Sequence, residues 1–332
     1  MSRAPIALLA LSLALTSNSA LAFGAVGHMA VGAIADKLLA GTNAAKRARA
    51  ILGTNLKTAA VWADCAKGVG SASFKYSGAG HYPECAIYEN PASERQMEAY
   101  VRRNVGNCPP AFSTEVCHKQ YHYTDVATQR TAYVKGQVGT SRQDIVAAIS
   151  AAIAVLQDKP SPEPFKITSK KEALRLLSHF VGDIHQPLHV VAVYLDASGN
   201  VIDPDQGVFN PQTETTGGND LFVGSKKLHG LWDTVTGAVN ADTPSDATIE
   251  AAKVVPVTVG PLPDWSTTWA TETLTVGNVA FDRLAYSSED PSNHYQVTLP
   301  PDYAKARAKM QADQVVKAGA RLAQILKAIW PD

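Results

Sequence analysis

The stretch that decides the fold is residues 179–189, His-Phe-Val-Gly-Asp-Ile-His-Gln-Pro-Leu-His. It ends a segment in which apolar side chains recur at helical spacing, namely Leu174, Leu177, Val181 and Ile184. This pattern predicts a helix that begins at Thr168 or Ser169, either of which can cap it. Pro187 ends the helix because proline has no N–H to donate. The sequence therefore predicts a helix whose last turns carry histidine and aspartate.

Helical periodicity also dominates the remainder of the chain. It predicts helices over residues 29–39, 42–52, 141–156, 265–284 and 303–330. The expected N-caps are Thr42, Ser141 with Asp144, and Asp302, and Gly53 is expected to end the second helix. We find no internal repeat and no linker, so the sequence predicts one mainly α-helical domain with a single core.

Three segments depart from this helical pattern. Residues 65–120 have little periodicity and are rich in Gly, Pro and Cys, which favours an irregular region held by cross-links. Residues 196–218 are polar and turn-rich, and suggest a hairpin or lid. Residues 221–223, Leu-Phe-Val before a glycine, are a candidate short strand.

Composition restricts the class of protein. The chain has 332 residues, of which 45% are hydrophobic and 18% charged, so a disordered or coiled-coil chain is excluded. Lys plus Arg is 30 and Asp plus Glu is 30, giving a formal net charge of zero. This balance argues against a protein that grips duplex DNA with a basic face. It does not exclude a nucleic acid as substrate, because bound metal adds charge that the sequence does not show.

Residues 1–22 have the pattern of a secretory signal peptide. Arg3 precedes an apolar run over residues 6–15, and Ala20-Leu21-Ala22 places small residues where a signal peptidase cleaves. The run is too short to span a bilayer. We therefore expect an exported protein without a membrane anchor, periplasmic or extracellular, whose functional domain covers residues 23–332 and begins at Phe23.

The four cysteines are Cys65, Cys85, Cys108 and Cys117. An even number in an exported chain indicates two disulfides, for which three connectivities exist. Proximity in sequence favours Cys65–Cys85 with Cys108–Cys117. Zinc-thiolate binding is the alternative, and the absence of a Cys-x-x-Cys pair from the sequence disfavours it.

Histidine and aspartate recur in pairs at helical spacing. His179 and Asp183 are four residues apart, as are His229 and Asp233, so each pair projects from one face of a helix. The helix break at Pro187 can turn His189 toward the first pair. Imidazole with carboxylate, and without thiolate, is the ligand chemistry of a catalytic zinc site. A single His-x-x-x-Asp pair is more often a surface contact, but two pairs and a third histidine favour zinc. Four histidines are not expected to be ligands: His81, His118 and His294 in polar loop-like segments, and His185, which points away from His179.

Six phrases occur in order along the chain: Gly-His at 27–28, Trp-Ala-Asp at 62–64, Tyr-His-Tyr-Thr-Asp at 121–125, the block at 179–189, Gly-Gly-Asn at 217–219 and Leu-His-Gly-Leu-Trp-Asp-Thr at 228–234. In this the chain resembles the trinuclear zinc nucleases typified by nuclease S-one and nuclease P-one. The resemblance covers nearly all of the chain after residue 22. It implies the single-domain helical fold that these nucleases share with zinc-dependent phospholipase C, and a cofactor of three zinc ions.

The resemblance also implies which residues hold each ion. The first ion would be held by Asp64, His122, His179 and Asp183, and the second by His189, His229 and Asp233. The third would take His28, Asp183 and the terminal nitrogen and carbonyl oxygen of Phe23, so that Asp183 bridges two ions. The family usually has Trp at that first position. Because backbone atoms are the ligands there, the substitution affects ring packing and affinity for the third ion.

The implied activity is hydrolysis of RNA and DNA, with single strands preferred and 5′-phosphate ends as products. A 3′-nucleotidase activity is a second activity that the resemblance allows. Zinc-bound hydroxide would be the nucleophile, oriented by Asp64. Lys67 would contact the phosphate, Tyr123 would stack on a base, and Asp125 and Asn219 would hydrogen-bond that base. Gly217 and Gly218 would let the backbone come close. For Tyr123, a core ring is the alternative.

Two other functions compete with this interpretation. Zinc-dependent phospholipase C enzymes share the fold, but they have a glutamate where this chain has Asp233, and they lack the base-reading phrases. A secreted zinc-binding protein without catalysis would not need Lys67, Asp125 and Asn219, all of which are present. We therefore expect a monomeric zinc nuclease that acts on single-stranded DNA, RNA and nucleotides.

Overall fold

The structure, a computed structural model, describes residues 23–106, 108, 117–235 and 240–332. About 52% of it is helical, which confirms the mainly α-helical fold. The helices are α1 Gly24–Leu38, α2 Asn43–Leu52, α3 Leu56–Ala59, α4 Trp62–Ala66, α5 Pro91–Asn104, α6 Cys117–Gln120, α7 Ile145–Leu156, α8 Lys170–Asp183, α9 Leu228–Asp233, α10 Asp246–Lys253, α11 Trp265–Phe281 and α12 Tyr303–Ile329. The strands are β1 Val126–Ala127, β2 Val191–Ala192, β3 Tyr194–Leu195, β4 Val201–Ile202, β5 Leu221–Val223, β6 Lys226–Lys227, β7 Ala285–Tyr286 and β8 Tyr295–Thr298. The expected signal peptide lies outside the described residues.

Side-chain caps fix the start of three of the six predicted helices. Thr42 accepts a hydrogen bond from the backbone of α2, Asp144 from α7 and Ser169 from α8. Asp144, not Ser141, is therefore the cap of α7. The expectation for Asp302 is wrong: it precedes α12 without capping it, and its carboxylate instead bonds the Arg283 guanidinium.

The long helix α5 and the single-turn helix α6 lie where we expected irregular structure. Helix α5 runs through the middle of residues 65–120, capped by Asn90 and begun by Pro91. Its sequence is polar because only one face is buried, at Met97, Tyr100, Val101 and Asn104. The prediction of an irregular segment is therefore wrong for both helices.

Helix α8 lies at the centre of the molecule and is buried from Glu172 to its end at Asp183. It packs against α7, α1 and α12. Helix α1 comes especially close to α12, since a Cβ atom at Gly319 would lie 2.6 Å from Ile34 Cβ. This packing places the start of α1 and the end of α8 side by side.

The strands are short and form three small sheets. β1 pairs with β2 in parallel, and β3 with β4 as an antiparallel hairpin. A four-stranded sheet has the order β6-β5-β8-β7, in which β5 and β8 are parallel. β5 is the strand expected at residues 221–223, and the β3–β4 hairpin lies at the start of the turn-rich segment. Parallel β1–β2 pairing joins the segment after His122 to the segment after His189.

Both expected disulfides are present, Cys65–Cys85 and Cys108–Cys117. The first ties α4, which carries Asp64, to the 3-10 helix at Pro83–Tyr88. Among the described helices, none combines the length and the apolar character that crossing a membrane requires.

Candidate metal centre

The end of α8 forms one wall of the site. His179 and Asp183 lie one turn apart, with His179 Nε2 3.1 Å from Asp183 Oδ2, and both side chains are fully buried. His179 Nδ1 lies 2.6 Å from the Ala60 carbonyl oxygen, to which it donates. Because that nitrogen carries the proton, Nε2 presents its lone pair to the site.

Helices α1 and α4 supply the opposite wall. His28 of α1 places Nε2 3.1 Å from Asp183 Oδ1. Asp64 of α4 places Oδ1 3.5 Å from His179 Nε2. The close approach of α1 to α8 depends on Gly182, since a Cβ atom there would lie 2.7 Å from His28 Nδ1. Two helices distant in sequence thus bring their ligand atoms within contact of α8.

His122 enters from the segment between α6 and β1. Its Nδ1 lies 2.9 Å from Asp183 Oδ2 and 3.0 Å from His179 Nε2. The carbonyl of His122 in turn accepts a bond from His189 Nδ1 at 2.8 Å. His122 therefore contacts one histidine through its ring and a second through its backbone.

A second cluster lies next to the first. His189 follows the turn at Pro187, while His229 and Asp233 project from α9. Asp233 Oδ2 lies 3.4 Å from His229 Nε2, and Oδ1 lies 3.8 Å from His189 Nε2. His229 Nδ1 donates to the Gly217 carbonyl oxygen at 2.7 Å, which leaves its Nε2 facing the aspartate.

Ligand atoms within 4.8 Å of one another form three groups: His28 with Asp64 and His179, His122 with His179 and Asp183, and His189 with His229 and Asp233. The structure thus brings together all eight side chains that the resemblance assigns to zinc. The last group is the set expected for the second ion. His28, expected to share an ion with Asp183, contacts Asp183 and is also grouped with Asp64.

The donor set fits metal ions. Four buried atoms that point into the site make no hydrogen bond to another described residue: His28 Nε2, Asp183 Oδ1, His189 Nε2 and Asp233 Oδ2. A fifth atom, Asp64 Oδ1, is paired with the Lys67 ammonium. Buried polar atoms are almost always paired, and buried carboxylates need compensating charge. Imidazole nitrogens and carboxylate oxygens together suit zinc.

Burial keeps most of these imidazoles neutral. It lowers the pKa of His28, lowers that of His122 well below its ordinary value and lowers that of His189 to about 3. Burial also acts to lower the pKa of His179, but the nearby carboxylates of Asp183 and Asp64 raise it overall. Neutral imidazole is the form that binds metal.

The three carboxylates of the site differ in the direction in which their pKa values are shifted. Burial raises the pKa of Asp233 to about 6. At Asp183 burial acts in the same direction, but the surrounding histidines hold its pKa well below the ordinary value. Burial is likewise outweighed at Asp64, whose pKa is lowered by Lys67 and the histidines. The site therefore concentrates negative charge inside a protein of zero net charge.

Phe23 lies at the edge of the second cluster, with its side chain fully buried. Its backbone N–H donates to Asp233 Oδ1 at 3.1 Å, and its ring packs edge-on to His28. The carbonyl oxygen expected to bind the third ion accepts a bond from Gly27 N–H at 3.2 Å. The nitrogen of this residue is thus inside the site.

The residues expected to bind substrate surround the two clusters. Lys67 Nζ lies 2.8 Å from Asp64 Oδ1, and Asp125 is buried. The backbone of Gly217 comes so near that a Cβ atom there would lie 3.2 Å from Asp125 Oδ1. Asn219 is half-buried and donates from Nδ2 to the Thr216 carbonyl oxygen. The glycine turn and Asp125 are therefore neighbours.

Tyr123 and Gly218 complete this set. Tyr123 is half-buried, which places its ring neither in the core nor fully in solvent. Gly218 has φ 82°, a left-handed conformation, and a Cβ atom there would lie 3.0 Å from the Leu188 side chain. Glu214 lies close by, and burial raises its pKa although Asp125, a hydrogen-bonding partner, acts to lower it.

Three buried polar residues near the site carry no predicted role. Gln186 donates to Asp233 Oδ1 at 2.7 Å. His185 lies just beyond α8, and its Nε2 contacts Arg321 Nη1 at 3.0 Å, away from the clusters as expected. His118, expected in a polar loop-like segment, lies instead in α6 and is fully buried, and burial lowers its pKa to about 3. It belongs to none of the three groups of ligand atoms found among the described residues. Gln186 lies within residues 179–189, but the spacing of residues in the sequence does not show which groups a glutamine side chain contacts.

Comparison with known proteins agrees with this geometry. The family model described as S1/P1 nuclease matches residues 23–331. The chain belongs to the S1/P1 nuclease family. This is the family of nuclease S-one and nuclease P-one, so the resemblance drawn from the six phrases is confirmed. No curated protein matches the sequence closely enough to count as a relative.

Membership in the S1/P1 nuclease family identifies a phosphodiester-hydrolysing enzyme whose substrates are nucleic acids. The family is metal-dependent, and the His/Asp groups of this chain are compatible with metal binding.

Proposed function

We propose that this S1/P1 family member is a zinc-dependent nuclease that hydrolyses single-stranded RNA and DNA to products with 5′-phosphate ends. The observation that carries the proposal is the convergence of eight buried His and Asp side chains on contiguous groups whose ligand atoms point inward. The same site would also remove the phosphate of a 3′-nucleotide, since that ester presents the same group.

Three zinc ions would be held by the residues that the resemblance assigns. Asp64, His122, His179 and Asp183 would hold one, and His189, His229 and Asp233 the second. His28, Asp183 and the backbone of Phe23 would hold the third. When bound, zinc neutralises phosphate charge and lowers the pKa of water from 15.7 toward about 7.

Asp64 and Lys67 would act at the phosphate. The Asp64 carboxylate remains ionised because Lys67 and the histidines lower its pKa, so it can accept a hydrogen bond from the attacking water and orient it. The Lys67 ammonium lies 2.8 Å from that carboxylate and carries the charge that a phosphate oxygen needs. The oxygen of water bonds to phosphorus and gives up one proton, while the bond from phosphorus to the 3′ oxygen breaks and that oxygen takes up one proton to become a hydroxyl.

Base recognition would be performed by Tyr123, Asp125 and Asn219. A half-buried aromatic ring can stack on a base only where the base is not already stacked in a duplex, which favours single strands. Asp125 accepts hydrogen bonds and Asn219 can both donate and accept. Because Gly217 and Gly218 have no side chains, their backbone can lie close to Leu188 and Asp125, and so beside the proposed base pocket.

We further propose that residues 1–22 direct export and that residues 23–332 form the nuclease domain, acting as a monomer in a periplasm or outside the cell. The two disulfides support this, since disulfides persist in oxidising compartments.

Metal analysis combined with a substrate panel tests the proposal. The chain beginning at Phe23 should contain three zinc ions and cleave single-stranded DNA and RNA faster than duplex DNA, leaving 5′-phosphate ends. Phosphatidylcholine serves as the comparison substrate. Hydrolysis of this lipid alone would indicate a phospholipase, and three zinc ions without hydrolysis would indicate a zinc-binding protein. Elution as a monomer from a sizing column tests the oligomeric state.

A further inference from the structure

Gln186 connects two parts of the candidate metal centre. It lies between the end of α8 and the 3-10 turn Pro187–His189, and it is fully buried. Its Oε1 accepts a hydrogen bond from the Leu188 backbone N–H, and its Nε2 donates to Asp233 Oδ1 at 2.7 Å. One side chain therefore bonds both the turn that carries His189 and an aspartate 47 residues away.

The direction of this amide is determined by its partners. The Leu188 N–H can only donate, so the atom that faces it must be the carbonyl oxygen of Gln186. The NH₂ group then faces Asp233, whose carboxylate accepts the bond. The bond is charge-assisted and buried, which makes it stronger than a bond between neutral groups.

The two oxygens of Asp233 consequently have different surroundings. Oδ1 accepts from Gln186 Nε2 and also from the Phe23 backbone N–H, at 3.1 Å. Oδ2 has no hydrogen-bond partner among the described residues and lies 3.4 Å from His229 Nε2. Two donors thus occupy one oxygen and hold the carboxylate plane, while the other oxygen faces the histidine.

We propose that Gln186 is a positioning residue that reserves Asp233 Oδ2 for the ion held with His189 and His229. This inference rests on the proposed zinc site. Gln186 acts on two ligands of that one ion: directly on Asp233, and on His189 through the turn that Gln186 caps. Among the described residues, no hydrogen bond joins Gln186 to His28 or Asp64, so the other ions should be affected much less.

Substitution by glutamate separates the two bonds of this amide. In Gln186→Glu, an oxygen can still accept from Leu188 N–H, but the second oxygen faces Asp233 with a lone pair instead of an N–H. In Gln186→Met, a side chain of similar length fills the space with neither bond. Because outer-shell partners of metal ligands contribute about 10–100-fold in metal affinity, both variants should weaken one ion by that factor.

Gln324→Glu is the matched control. Gln324 of α12 also donates from Nε2, to the Val255 carbonyl oxygen at 2.8 Å, and it contacts no candidate ligand. The same isosteric loss of a donor there should leave all zinc affinities unchanged. It reports what a general loss of packing or hydrogen bonding does to the measurement.

The first measurement is the number of zinc ions retained per chain as the concentration of a chelator is raised. The second is the visible absorption spectrum of the proteins with cobalt in place of zinc. We expect Gln186→Glu and Gln186→Met to release one zinc ion per chain at a chelator concentration about 10–100-fold lower than the wild type requires. The remaining zinc ions of these variants, and all zinc ions of Gln324→Glu, should be released as in the wild type. The cobalt spectrum of the variants should change in intensity for one equivalent only.

Retention of all equivalents in both variants, as in the wild type, would overturn the proposal. So would equal loss of every equivalent, or failure of both variants to fold while Gln324→Glu folds, because each would assign Gln186 to the fold and not to one ion. A wild-type protein without zinc would instead refute the proposed function.

Discussion

The imidazole ring of His28 stacks on that of His179, with 3.7 Å between the ring centroids and 19° between the ring planes. The stack is possible because α1 and α8 approach closely at Gly182. It places His28 on one side of Asp183, where Nε2 lies 3.1 Å from Oδ1. On the other side, His122 and His179 lie 2.9 and 3.1 Å from Oδ2. The two oxygens of Asp183 therefore face different histidines, as a carboxylate between two ions would.

This arrangement predicts that Asp183→Asn is more damaging than His28→Ala. The amide presents one oxygen instead of two and carries no charge, so it should weaken two ions, whereas the loss of His28 should weaken one. We expect Asp183→Asn to lower kcat by about 100-fold or more, beyond the effect of losing an outer-shell partner. Zinc content should fall further in Asp183→Asn than in His28→Ala. An Asp183→Asn protein with three zinc ions and near-normal turnover would contradict the bridge.

Removal of zinc should also lower the melting temperature. Ions that bind only the folded chain stabilise it by mass action, and buried carboxylates without a cation destabilise it. Calorimetry in the presence and absence of a chelator measures this difference. The difference should be smaller for Asp183→Asn than for the wild type, because fewer ions remain to be removed. Equal melting temperatures for the wild type with and without chelator would show that the ions contribute nothing to stability.

The position of Phe23 predicts that one additional residue before it is harmful. Its nitrogen lies inside the site, 3.1 Å from Asp233 Oδ1. An extra residue converts the terminal amine, a good ligand, into an amide, which is a poor one. The extended chain should bind two zinc ions instead of three and lose most of its activity. Metal analysis of this chain, compared with one extended after Asp332, provides the control. Full zinc content and turnover in the chain extended before Phe23 would rule out the terminal amine as a ligand.

The sequence predicted the fold well where the signal was local. The helices capped by Thr42 and Ser169 begin where their caps stand, since a hydroxyl that bonds the first turn is a short-range signal. Cys65–Cys85 and Cys108–Cys117 were also found from proximity. Helix α5 was not predicted because its exposed faces are polar, which leaves few apolar residues at helical spacing. The capping pattern of Asn90 and Pro91 was also overlooked, since glycines, prolines and cysteines surround it.

The site was predictable to a similar degree. The spacing of His179 with Asp183, and of His229 with Asp233, identified two helical pairs without any knowledge of the fold. Contacts between residues that are far apart in the sequence could not be predicted from residue spacing. Nothing in the sequence indicates that Gln186 reaches Asp233, or that His118 is buried, because both depend on how the helices pack.

Gly217 is predicted to be irreplaceable for two reasons that can be measured separately. Its φ of 57° is left-handed, and a Cβ atom would lie 2.4 Å from the Leu188 carbonyl oxygen. Its own carbonyl accepts the bond that orients His229. Gly217→Ala should therefore destabilise the fold by more than the left-handed conformation alone costs, which is about 1–2 kcal/mol. It should also reduce zinc content.

Gly224→Ala is the matched control for this prediction. Gly224 has a similar φ of 63°, and a Cβ atom there would meet nothing within 4 Å. It should show the conformational cost alone, with normal zinc content. Urea unfolding gives the two free energies of unfolding. Equal losses in both variants would show that the approach of Leu188 is unimportant.

Asn219 and Lys67 should affect different parts of the substrate. Asn219 is proposed to bond the base, and a bond whose partner is left unpaired is worth roughly 1–3 kcal/mol. Asn219→Ala should therefore raise KM for a nucleotide substrate by about tenfold to a hundredfold and leave zinc content unchanged. An aryl phosphodiester, which has no base, should be hydrolysed almost as well as by the wild type.

Lys67→Ala should instead weaken the hydrolysis of both substrates, because each carries the phosphate. Its effect should diminish as salt concentration rises, since ions screen the attraction between the Lys67 ammonium and the phosphate. The comparison of two variants on two substrates does not depend on absolute rates. If Asn219→Ala harms the aryl ester as much as the nucleotide, then Asn219 supports the metal centre through the turn that holds His229. The proposed base pocket would then have to be abandoned.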